Sequence, residues 1–104
     1  MSRKRTYKTK SEQLHLARVA ALGCIVCKNL GYPDSPAEIH HCSKGTGFAV
    51  RADHFHVIPL CRLHHRDGGH GVAIHAGRRT WEKNFGAEEA LLAQVRAELG
   101  GEQC

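Results

Sequence analysis

At 104 residues the chain has the length of one small domain with a modest core. Hydrophobic residues make up 41% of it, which argues for a folded protein, and no apolar run nears the roughly 18 residues of a membrane span. The net charge of +5, with five Lys and Arg among the first ten residues, points to a polyanion and so to nucleic acid. The basic start, MSRKRTYKTK, lacks the apolar segment of a secretory signal. The sequence therefore reads as cytoplasmic, with neither a membrane nor a small molecule as partner.

Residues 1–10 read as a basic flexible arm carrying Arg3, Lys4 and Arg5, and residues 11–104 as a single domain without internal repeats. Thr9 and Glu12 have capping-box spacing and open a helix that Gly23 stops. Leu14, Ala17, Ala21 and Leu22 are its expected buried stripe, with His15 facing out. CIVC follows directly, and KNLGYPDSP reads as a loop. The segments AEIHHC and HFHVIPL read as two strands, joined by the glycine-containing loop SKGTGFAVRAD. A short helix is expected from near Cys61 to Gly68-Gly69. Trp81 and Phe85, four apart, read as helix packing residues. AEEALLAQVRAELG predicts a C-terminal helix with Leu91, Leu92, Val95 and Leu99 on one face and Gly100 as its cap.

The chemistry lies in the histidines: nine in all, eight of them between His40 and His75. Cys24 and Cys27 form a C-x-x-C pair, and Cys61 and His64 a matching C-x-x-H pair. Two such pairs brought together are the usual makings of a four-coordinate structural zinc site. In a reducing cytosol the five cysteines suit metal better than disulfides. A redox C-x-x-C competes weakly, because this pair follows a helix rather than a strand. With His64 assigned to zinc, His65 points elsewhere, since neighbours on a helix diverge by about 100°. The EIHH segment supplies candidate partners, provided the strand ends or twists between His40 and His41.

This order of parts resembles the HNH endonucleases of the ββα-metal superfamily. The run HHRDG…GVAIHAG…WE..FG more narrowly resembles the Ref family of phage recombination-enhancement nucleases, which depend on RecA; the likeness extends from about His15 to Leu99. It implies a small α+β fold: a zinc-stabilised ββα-metal hairpin-plus-helix core flanked by N- and C-terminal helices. Carried over by position, His41 matches the general base, and His40 and His65 match catalytic metal ligands. His56 falls where the family has an asparagine that holds the loop and orients the base, and either takes over that part or has become a ligand. His70 is a further candidate ligand, if the helix has ended at the glycines. His54 and His75 are read as structural or DNA-facing, Cys42 as a small buried hydrophobe and Cys104 as a free thiol.

The implied function is metal-dependent hydrolysis of DNA phosphodiester bonds in recombination, with DNA and the RecA filament as partners. Its cofactors are a structural Zn2+ and one divalent catalytic ion, Mg2+, Mn2+ or Zn2+. Lys44, Arg51 and Arg62 are expected to clamp phosphates, and the arm to add sequence-independent affinity. The rival reading is a non-catalytic zinc-containing DNA- or RNA-binding module, which leaves His40, His41, His56 and His65 without a reason.

Overall fold

The computed structural model describes residues 8–42 and 54–100. Arg3, Lys4, Arg5, Lys44, Arg51, Cys104 and the loop between the expected strands lie outside the described residues. What is described is a small α+β protein: four α-helices and one two-stranded antiparallel hairpin.

Helix α1 spans Lys10–Ala21. The Thr9 hydroxyl accepts from the Glu12 backbone N–H, and the Glu12 carboxylate accepts from the Thr9 N–H, which completes the expected capping box. The buried stripe differs from expectation. Val19 is fully buried, with Leu16 and Leu22 packed beside it, while Leu14, Ala17 and Ala21 are exposed. His15 is half-buried, its ring 5.1 Å from that of Phe55, rather than a bystander. Apolar residues occupy most sides of this helix, so periodicity leaves several stripes equivalent, and docking against the hairpin selects one.

Gly23 ends α1 in the left-handed region, at φ 82°, with Ser35 O only 3.0 Å from where a Cβ would stand. The turn delivers Cys24 as the N-cap of α2, Ile25–Asn29, a five-residue helix that runs into the start of the expected loop. Left-handed backbone costs an L side chain about 1–2 kcal/mol. Gly23→Ala is therefore expected to lower the melting temperature, by roughly 4–8 °C per kcal/mol lost in a domain of this size. An unchanged melt would show that Gly23 does not hold a left-handed turn in solution.

Strand β1, Glu38–His41, pairs with β2, Val57–Leu60, in the register Glu38–Leu60 through His41–Val57. Cys42 N–H donates to His56 O at 2.9 Å, adding one rung beyond the strand ends. Every residue of β2 is buried, as a short continuous apolar run implies, and α1, α2 and α4 all pack on it. After β2 comes a π-helical turn, Leu63–Asp67, where Gly68 N–H reaches Leu63 O at 3.0 Å. It occupies the place of the expected short helix. A 3-10 turn, Ile74–Ala76, leads to α3, Arg78–Phe85, and then to α4, Glu88–Glu98. Trp81, Leu91, Leu92 and Val95 close the core as the sequence indicated, with Phe85 and Leu99 at its edge. No described helix is long and apolar enough to cross a membrane.

Candidate functional site

Two clusters of donor atoms flank the π-helical turn, one on each of its adjacent histidines. The first joins Cys24, Cys27, Cys61 and His64, with all four donors within 4.8 Å of one another. Cys24 and Cys27 come from the start of α2, Cys61 from the end of β2 and His64 from the turn. Sγ of Cys27 and Sγ of Cys61 stand 3.8 Å apart, and His64 Nδ1 lies 3.8, 3.6 and 3.3 Å from the sulfurs of Cys24, Cys27 and Cys61. A tetrahedral zinc with ordinary bond lengths has S···S edges of about 3.8 Å and S···N edges of about 3.6 Å. The donor set fits such an ion in number, chemistry and spacing, and could hold a metal such as zinc. Burial pushes the Cys24 thiol up to about 12, and burial also holds His64 below the ordinary histidine range. A cation is what such a thiol needs in order to ionise.

The second cluster joins His40, His65 and His75, again with donors within 4.8 Å of one another. His40 is buried on β1, with its ring centroid 5.2 Å from that of His65 and 5.3 Å from that of His75. His65 Nδ1–H donates to Glu38 Oε1 at 2.7 Å, which turns its Nε2 toward Nε2 of His75, 3.0 Å away. Two ring nitrogens on one tetrahedral zinc would be about 3.3 Å apart. The set therefore also suits a metal ion. Glu38 in turn takes two bonds from Arg66, and the Arg66 and His65 contacts hold its carboxyl down at about 2. His75 is exposed, yet partial desolvation of its ring, with the nearby His65 and His40, holds it below the ordinary histidine range. Both effects favour the neutral imidazole that binds metals.

His75, which the sequence reads as structural or DNA-facing, is thus brought to His40 and His65. It sits in the 3-10 turn, ten residues after His65, and no ligand spacing marks it. His70 does the reverse. It belongs to neither cluster among the described residues; its Nδ1–H donates to Ala76 O at 3.3 Å, and its ring lies so close to Gly77 that a Cβ there would be 2.9 Å away. It braces the loop that carries His75. His56 is likewise in neither cluster, and its carbonyl serves the hairpin rung to Cys42. The ring of His54 meets His41: Nε2 of His41 and Nδ1 of His54 are 3.0 Å apart.

His40, His41, His75, Arg78 and Glu88 line one open cleft of about 410 Å3. Adjacent strand residues face opposite ways, yet both His40 and His41, the last two residues of β1, reach this cleft. Arg78, half-exposed on the wall, was not singled out by sequence; its guanidinium is 3.5 Å from Glu88. Arg62 lies away from the wall in a 2.7 Å ion pair with Asp67.

Fold and site together define a small α+β protein that has, among the described residues, one group of three cysteines and a histidine and one group of three histidines, each able to take a metal ion. The family model for recombination enhancement, RecA-dependent nuclease, matches residues 8–99, and the chain belongs to that family. The expected likeness to RecA-dependent recombination nucleases holds at this level, and with it an enzyme of the nuclease kind. No curated protein gives a significant match.

Proposed function

We propose that the protein is a metal-dependent DNA endonuclease of the HNH type, with a zinc-stabilised ββα-metal core, encoded by a phage and acting in recombination on RecA-coated DNA. The observation that carries this reading is the end of β1, where two successive imidazoles serve one cleft: His40 within the three-histidine cluster and His41 beside it.

Cys24, Cys27, Cys61 and His64 would hold the structural zinc, and His40, His65 and His75 the catalytic ion. Three imidazoles favour Mn2+ or Zn2+ over Mg2+, which prefers oxygen ligands. When bound, the ion supplies Lewis-acid stabilisation of the charge that builds on the phosphoryl group and the leaving oxygen. His41 takes the proton of the attacking water, with the His54 ring against it to keep it aimed. Arg78 offers its guanidinium to a phosphate from the cleft wall, where a planar donor fork suits phosphate oxygens. Lys44, Arg51 and Arg62, together with Arg3, Lys4 and Arg5 of the arm, add affinity for the DNA backbone.

The test is a cleavage assay with Mn2+ on bare DNA and on DNA coated with RecA. Cutting of the RecA-coated DNA, abolished by chelator, is the expected result. Binding of that substrate without cleavage would instead establish the non-catalytic zinc-containing nucleic-acid module.

A further inference from the structure

Glu88 is the third buried polar side chain of the described core, beside His40 and His64, and no motif includes it. It opens α4, its residue is 3% exposed, and its Oε2 accepts from His40 Nε2–H at 2.7 Å. Its own backbone N–H is held by Glu82 Oε2 at 2.8 Å, and Arg78 approaches its other oxygen at 3.5 Å. A carboxylate this deep is costly to bury unless a partner repays the lost hydration. The N-terminus of α4 eases that cost, since helix N-termini favour negative charge.

We propose that Glu88 is the positioning residue of His40, so that the C-terminal helix is part of the metal site. This rests on the reading of His40, His65 and His75 as ligands. An imidazole whose Nε2–H is donated to a carboxylate keeps its lone pair on Nδ1. Glu88 thereby fixes both the tautomer and the rotation of the His40 ring. The same device recurs at His65, which gives Nδ1–H to Glu38 and turns Nε2 to the cluster. Two of the three imidazoles are thus each held by one carboxylate on one ring nitrogen, which leaves the other nitrogen for an ion. Such outer partners set ring orientation and raise ligand basicity. A buried ion pair serving stability alone would not need this repetition around a single cluster.

The experiment is a titration of the zinc-loaded protein with cobalt(II), read by its visible absorption, in the parent and in His40→Ala, Glu88→Gln and Glu88→Ala. The parent should gain a cobalt band that His40→Ala loses. Removing such an outer partner weakens metal binding by about 10- to 100-fold. Glu88→Gln, which keeps an acceptor, should fall at the lower end, and Glu88→Ala at the upper. At saturation the Glu88→Gln band should match the parent, because the donor atoms are unchanged. Parent-like cobalt affinity in Glu88→Gln and Glu88→Ala would overturn the proposal, and a shifted band would make Glu88 a ligand rather than a positioner. A parent band that survives His40→Ala, or no parent band at all, would overturn the three-histidine reading and this proposal with it. Should Glu88→Ala fail to fold, the near-isosteric Glu88→Gln decides alone.

Discussion

Cys61→Ser is expected to abolish the cooperative thermal transition of the protein, and strong chelation of the parent should do the same. The donors come from three separate elements, so the ion would tie the start of α2 to the end of β2 and to the π-helical turn. Helix α2 also packs on β2 through the buried Ile25 and Val26, so the tie matters most for the turn. The turn touches the core chiefly through His64, whose ring meets Phe85 at 5.1 Å, while Leu63 is exposed. A domain of about 100 residues has a net stability of about 5–15 kcal/mol. Structural zinc in small domains contributes about 10–16 kcal/mol at neutral pH. The two quantities are of the same order, so losing the zinc contribution should leave the variant unfolded rather than merely weakened. The check is a circular-dichroism melt of Cys24→Ser and Cys61→Ser beside the zinc-loaded parent. Parent-like melts would remove the cluster from any structural role.

The second large effect concerns His41. Its replacement by alanine should reduce cleavage of RecA-coated DNA by about 100- to 10,000-fold, the usual contribution of a general base. Fold, zinc content and DNA affinity should persist, because His41 belongs to neither donor cluster. His65→Ala and His75→Ala should also lose cleavage, but by weakening the ion, so excess manganese should restore part of it. His41→Ala should show no such recovery. Single-turnover rates across a manganese series separate the two cases. Recovery confined to His41→Ala would mean that base and ligand have been exchanged. Near-parent rates in all three variants would remove the cleft from catalysis.

Different physical signals made different parts of the protein legible from its sequence. Paired spacing marked Cys24, Cys27, Cys61 and His64, and the fold brings all four together. The divergence of neighbouring helical side chains separated His64 from His65, and they do enter different clusters. The apolar face of α4 was readable because it alternates with charged residues. The face of α1 was not: Leu14 and Leu16 look equivalent until the hairpin is in place. Helix α2 is too short for any period to show, and its last two residues, Lys28 and Asn29, read as the start of the loop KNLGYPDSP. His75 and Glu88 reach His40 only through the tertiary fold. In the sequence, one is another loop histidine and the other an ordinary acidic residue in the first turn of a helix. Their roles follow from sequence separations of 35 and 48 residues, which no local pattern encodes.

One peptide bond links His64 to His65, and so links the two donor clusters. A single inserted or deleted residue at that bond would rotate one ring relative to the other and aim it away from its cluster. The two centres are therefore not separable modules. Neither can be grafted onto another scaffold, or drift in register through evolution, without carrying the other along. Length variation in this chain has to be absorbed elsewhere, in segments that join elements rather than in the turn that serves both.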